Sequence, residues 1–225
     1  MLDSMENSRS DLVKQKNEIS DLLSEVEYLM QQNDSVYFET IKSLANTIDA
    51  KDSYTGGHCD RVDKYAMLIG KEYGLSREEL TNLSYASLLH DIGKIGIPEK
   101  IITKVGKLND YEFEEIKKHP GLGYEIIKDI NFLKNSRDAI LHHHERIDGT
   151  GYPDGLRDDE ISILTRIISI ADSFDAMTSD RSYRKALTKE AVIKELIKNK
   201  NYQFDGELVD ILLELIEGGK IDFNK

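Results

Sequence analysis

A chain of 225 residues is long enough for one sizeable hydrophobic core with a short appendage, and a second full domain would be cramped. Its 42 acidic residues outnumber 30 lysines and arginines, and the net charge of -12 opposes broad attraction to DNA, RNA or an anionic membrane. A small phosphate substrate is not excluded by that charge, because bound divalent metals can reverse the field locally. No apolar run is long enough to cross a bilayer, and the start MLDSMENSRSD lacks the basic and apolar regions of a signal peptide, so the cytoplasm is the expected compartment. The single cysteine, Cys59, excludes an internal disulfide and reads as a small, semi-buried residue.

With three prolines, no tryptophan and few alternating apolar and polar runs, the sequence predicts helices throughout. Leu12, Ile19 and Val26 recur every seven residues, and Leu22, Leu29 and Val36 fill the complementary positions. Polar Asn33 falls on the same seam, where such a residue sets register and oligomer state. Residues 1–36 are therefore expected to form an amino-terminal helix, either a coiled coil that dimerises the chain or an amphipathic helix packed on its own domain. Residues 37–225 are expected to form one all-helical domain. A helix is predicted from Ser35 to Ala50, followed by a Gly-Gly loop up to His58, which opens the next helix. That helix stops near Gly74, and Ser76 with Glu79 forms a capping-box pattern for a helix running to His90. Further helices are predicted over 109–118, 120–130, 136–144, 162–178, 188–199 and 206–217. The intervening stretches 92–107 and 145–160 are read as irregular, a length that in a compact domain usually carries function.

All six histidines lie in four places: His58, His90, His119 and the run His142, His143 and His144. His90 follows the apolar run Tyr-Ala-Ser-Leu-Leu and precedes Asp91, which places an ionisable pair at the inner end of a buried helix. Asp172 ends the apolar stretch Ile-Ile-Ser-Ile-Ala. Burying such groups is costly unless they are hydrogen-bonded or metal-bound. Neutral imidazoles with a carboxylate able to bridge suit iron, manganese, zinc or nickel, whereas an all-oxygen cage suits magnesium or calcium.

The words around these residues make the pattern specific. His90-Asp-Ile-Gly-Lys94, followed by His143-His-Glu-Arg-Ile-Asp-Gly-Thr-Gly-Tyr-Pro153, resembles the HD-GYP family of the HD phosphohydrolase superfamily, and the resemblance extends over roughly residues 40 to 217. It implies an HD-domain helical bundle that hydrolyses cyclic di-GMP to pGpG and on to GMP, by attack of a metal-bridging hydroxide on the 3'-5' phosphodiester. It also implies that His58, His90, Asp91 and Asp172 hold one divalent metal, that Asp91 bridges to a second, and that His119, His143 and His144 hold the second. Iron or manganese is expected first, with zinc or nickel as alternatives. A glutamate that binds a third metal in some relatives is replaced by Tyr54, which favours two. His142 is the histidine left over.

Lys94 is expected to contact the scissile phosphate and stabilise developing charge. Tyr152, held between glycines and Pro153, is expected to face the substrate, a signalling protein docked on the Gly-Tyr-Pro loop, or both. Arg181 and Arg184 are candidates for phosphate or guanine contacts. Glu145 is expected to orient an imidazole ligand, Asp175 to orient a ligand or accept a proton, and Asp148 to brace the loop. The rival readings are a phosphodiesterase for mixed cyclic GMP-AMP, a catalytically silent nucleotide or partner sensor, and a di-iron oxygenase; the complete ligand set argues against the sensor, and Lys94 with the Gly-Tyr-Pro loop against the oxygenase.

Overall fold

The computed structural model describes residues 2–51, 56–180, 185–221 and 223. Every regular element among them is a helix, as the sequence predicts. The chain divides into two units, Met1–Thr40 and Ile41–Lys225.

The first unit is a single stretch of helix. It belongs to α1, Leu2–Lys51, which is continuous through the position where a separate helix was expected to begin at Ser35. The seam residues Ile19, Leu22, Val26, Leu29 and Val36 are all exposed, as is Asn33.

The second unit carries α2 (His58–Tyr73), α3 (Arg77–Leu89), α4 (Glu99–Ile102), α5 (Asp110–Ile116), α6 (His119–Ile127), α7 (Arg137–His142), α8 (Ile163–Thr178), α9 (Lys189–Lys198) and α10 (Gly206–Glu217). In α2, Val62, Tyr65, Ala66 and Ile69 are buried, the spacing of one helical face. That face packs against α3, α8 and α10, with the Tyr65 ring edge-on to Phe174 of α8 at 4.9 Å. Helix α3 enters the interior with every residue from Leu83 to Leu89 buried. In α10, Leu208, Val209, Leu212, Leu215 and Ile216 cover the base of the core. Each large side chain so buried contributes roughly 1.5–3 kcal/mol of transfer free energy.

The stops come from local chemistry. Gly74 takes a left-handed conformation (φ 94°) and closes α2, and the Ser76–Glu79 capping box opens α3. The stretches expected to be irregular contain short helical pieces: a 3-10 turn at Ile92–Gly96, α4, and a 3-10 turn at Asp158–Glu160. Gly93 shows why the first turn is needed. A Cβ there would overlap the His119 carbonyl oxygen and the Gly123 nitrogen, so only glycine lets the turn after His90-Asp91 seat directly on the backbone of α6.

One core-facing carboxylate has no such accommodation. Asp63 of α2 has a buried Oδ1 without a hydrogen-bond partner, and burial pushes its pKa up to about 6, partly opposed by the Ser84 hydroxyl. Because the folded-state value is the raised one, this group favours the fold fully only below its ordinary value near 3.8, and that contribution is lost as pH rises through about 6. Asp63→Asn should therefore stabilise the protein at pH 7.5 by roughly 1–3 kcal/mol, with the difference shrinking towards pH 4.5. Denaturant melts of both proteins at the two pH values measure this directly.

Candidate metal centre

Helix ends bring the chemistry together. His58 opens α2, His90 caps α3, Asp91 caps the 3-10 turn, His119 opens α6, His143 caps α7 with His144 next to it, and Asp172 projects from α8. They form two groups, His58 with His90 and Asp172, and His119 with His143 and His144; the ligand atoms within each lie no more than 4.8 Å apart. Asp91 stands between them. Its Oδ1 is 3.2 Å from His119 Nε2, while Oδ2 is 3.4 Å from His90 Nε2 and 3.7 Å from His58 Nε2. One carboxylate oxygen thus faces each group. The structure gathers all seven sequence-predicted ligands in one place.

The histidines are oriented by a shared local device. His90 Nδ1 lies 2.7 Å from the Ser87 carbonyl oxygen, His119 Nδ1 2.7 Å from that of Ile116, and His143 Nδ1 2.8 Å from that of Ile140. Each acceptor is three residues back, at a helix end whose carbonyls lack intrahelical donors. A carbonyl can only accept, so Nδ1 carries the proton and Nε2 points inward. His58 uses a side chain for the same purpose, with Nδ1 2.8 Å from Asp175 Oδ2. Arg61 in turn grips Asp175, donating from Nε to Oδ1 at 2.6 Å and from Nη2 to Oδ2 at 3.0 Å. Arg61 escaped the sequence analysis, although it lies one turn after His58 on the same helix face.

Divalent metals suit what this device leaves behind. His90 Nε2 is wholly buried without a hydrogen-bond partner, and the Nε2 atoms of His119 and His143 face each other at 3.2 Å. A cation between them would take both as ligands, and imidazole nitrogens with carboxylates are the donors transition metals prefer.

Protonation states agree for the second group. Burial, then neighbouring imidazoles, holds His143 well below its ordinary pKa and His144 down at about 3, so both stay neutral. Burial opposes ionisation of Asp91 as well, yet the Lys94 ammonium, 2.6 Å from Oδ2, and His90 keep its pKa well below the usual carboxylate range. His90 behaves differently: against the effect of burial, Asp91 and Asp172 raise it to about 9, so an ion entering there displaces a proton.

The Gly-Tyr-Pro loop forms one wall. A Cβ at Gly151 would overlap the backbone of Glu145 and Arg146, and this close approach lays the Tyr152 ring over His144, with centroids 4.7 Å apart and planes inclined by 28°. Burial and the charges of Asp91 and Asp172 push the Tyr152 pKa up, so it remains a neutral phenol. The expectation for Glu145 needs correction. Rather than an imidazole, its carboxylate accepts the backbone N–H groups of Asp154, Gly155 and Leu156 at 2.7–3.1 Å, satisfying buried donors that a tight loop leaves without partners. Asp148 accepts from the Thr150 amide and hydroxyl and so braces the loop's other side. His142 lies outside both ligand groups, clamped between Asp138 and Asp154 at 2.9 and 3.0 Å. Arg181, Arg184 and Tyr54 lie outside the described residues.

Comparison with known proteins places this geometry in a family. The HD domain pattern matches residues 42–208. The chain is 40% identical over 177 residues to the cyclic di-GMP phosphodiesterase response regulator RpfG of Xanthomonas campestris, covering 78% of this chain and 47% of that protein. It is 39% identical over 178 residues to the 3'3'-cGAMP-specific phosphodiesterase 2 of Vibrio cholerae, covering 78% and 34%. A cyclic di-GMP phosphodiesterase of Thermotoga maritima matches at 38% identity, covering 79% and 49%. Among solved structures, a cyclic GMP-AMP specific phosphodiesterase of V. cholerae superposes with a TM-score of 0.66 at 20% identity, covering 81% of this chain and 49% of the other. The HDG"Y"P protein of Bdellovibrio bacteriovorus gives 0.61 at 20% identity, covering 84% and 69%. The chain belongs to the HD domain family, and within it to the HD-GYP group. It spans half or less of the length of these curated relatives.

Proposed function

We propose that this chain is a metal-dependent phosphodiesterase domain that opens cyclic di-GMP to linear pGpG, with GMP as a further product. The observation that carries the reading is Asp91, with one carboxylate oxygen turned to each of two three-residue ligand groups. His58, His90 and Asp172 would hold one divalent metal and His119, His143 and His144 the other, with Asp91 shared; iron or manganese is the first choice, zinc or nickel the alternative. When bound, such a pair supplies Lewis acidity, lowering the pKa of water and taking up charge on a phosphate oxygen. In the reaction, a water oxygen bonds to phosphorus as the bond from phosphorus to the 3' oxygen breaks, leaving a 3' hydroxyl and a 5' phosphate.

The protein groups have separate tasks. Asp175 and Arg61 fix the His58 ring, and the carbonyls of Ser87, Ile116 and Ile140 fix those of His90, His119 and His143. Lys94 keeps a positive charge beside Asp91 and supplies it to the scissile phosphate. Tyr152 offers a flat face at the edge of the centre for a base. Arg181 and Arg184 are further candidates for phosphate or guanine contacts. The same loop can also dock a signalling protein.

A second substrate is favoured by specific relatives: the V. cholerae proteins at 39% and 38% identity carry the name 3'3'-cGAMP-specific phosphodiesterase. Purified under anaerobic conditions and loaded with iron or manganese, the protein should cleave cyclic di-GMP to pGpG. Asp91→Ala should lower turnover by at least about a thousandfold together with metal content. Chromatography of products from both cyclic dinucleotides decides between substrates, and tight binding without any product would leave only a silent sensor.

The exposed apolar seam of α1 supports a homodimer through residues 1–36, with 37–225 as the catalytic domain, working in the cytoplasm on a small substrate and not on a nucleic-acid polymer or a membrane. No helix among the described residues is long and apolar enough to cross a membrane. Sedimentation should show a dimer for the full chain and a monomer for a chain lacking residues 1–34; identical monomers would remove the dimer.

A further inference from the structure

Lys51, the last residue of α1, uses its ammonium in an unusual way. Nζ donates to the carbonyl oxygens of Lys94 at 3.1 Å, Ile95 at 2.8 Å and Ile97 at 3.0 Å. An ammonium has three protons, so its donors are all committed to one short stretch of backbone 43 to 46 residues away in sequence. That stretch is the end of the 3-10 turn Ile92–Gly96, whose cap is Asp91 and which bears Lys94. At its two ends Lys94 N–H donates to the Asp91 carbonyl oxygen at 2.9 Å, and Ile97 N–H to that of Lys94 at 3.1 Å. A cation at the carbonyl end of a helical turn also opposes its dipole.

The end of α1 is itself well anchored. Ile41, Ala45, Ile48 and Asp49 are buried in the core. Asp49 Oδ2 accepts from the Cys59 backbone N–H at 3.4 Å, and the Cys59 thiol lies 3.3 Å from Oδ1. Cys59 is the neighbour of the ligand His58. The last turns of α1 therefore touch two segments at the first ligand group: the start of α2, which bears His58, through Asp49, and the turn carrying Asp91 and Lys94 through Lys51.

We propose that Lys51 is a positioning residue, which holds the Asp91–Lys94 turn in the geometry that the metal centre and the scissile phosphate require. The proposal rests on the phosphodiesterase reading for its effect on turnover, and on the backbone contacts alone for its effect on the turn. It follows that α1 ends in a mechanical connection to the centre, three bonds from Lys51 to the carbonyls beyond Asp91.

The test compares full-length wild type with Lys51→Met, which keeps the aliphatic stem, and Lys51→Arg, which restores donors; Lys51→Gln replaces Lys51→Met if that variant melts early. Amide hydrogen exchange at Lys94 and Ile97, release of bound manganese to a chelator, and kcat and KM for cyclic di-GMP are measured on each. Loss of the three bonds should speed exchange of those two amides and metal release by about tenfold or more, and lower kcat by about tenfold with KM little changed. Lys51→Arg should recover a substantial part of each. Unchanged exchange or unchanged metal release in the variant overturns the proposal, as does faster exchange with full kcat, which would make the contact merely structural. If wild type turns over no cyclic dinucleotide, the phosphodiesterase reading fails, while exchange and metal release still decide whether Lys51 holds the turn.

Discussion

The centre depends on one constraint: a buried imidazole needs one nitrogen committed if the other is to point at a common space, and four of the five candidate ligand histidines meet it through Nδ1. Three of them achieve this with the carbonyl three residues back, at helix ends where that carbonyl has no helical donor. The protein thereby converts an unavoidable defect of short helices into a means of fixing tautomers. His58 takes Asp175 from α8, held by Arg61, in place of a carbonyl. The arrangement leaves a buried Nε2 on His90 without a hydrogen-bond partner and brings the Nε2 atoms of His119 and His143 face to face, donors that divalent cations would engage.

Everything around the centre keeps those ends in register. The faces of α2, α3, α8 and α10 make the core, and the ligands lie at its margin. Gly93 permits the Asp91 turn to lie on the backbone of α6, so the carboxylate reaches both ligand groups. Glu145 and Asp148 hold the Gly-Tyr-Pro loop by its backbone, and the loop lays Tyr152 across His144. The acidic surplus of the chain is offset locally by Lys94 beside Asp91, and divalent ions held by the two groups would add to that positive field.

Much of this was legible in the sequence. Apolar periodicity and capping signals located the helices of the second unit other than α4, with ends misplaced by up to a few residues, as between Ile116 and His119. Apolar runs ending at His90-Asp91 and at Asp172 marked buried polar groups that needed partners. What stayed hidden depends on long-range geometry. Arg61 looks like an ordinary surface arginine until Asp175 is brought against it from more than a hundred residues away. Glu145 follows two ligands, and adjacency suggested an imidazole partner, whereas its carboxylate turns towards loop amides nine to eleven residues on. Lys51 ends a helix a few residues before the Gly-Gly loop, yet nothing local shows that its ammonium reaches the carbonyls of a distant turn.

The central claim is that Asp91 is shared between two ions held by separate trios of side chains. Crystals grown anaerobically with manganese or iron, and measured above and below the metal's absorption edge, test it most directly. The account predicts two anomalous peaks per chain, one enclosed by His58, His90 and Asp172, the other by His119, His143 and His144, each within bonding distance of a different Asp91 oxygen. A single peak, or ions bound away from Asp91, would contradict it.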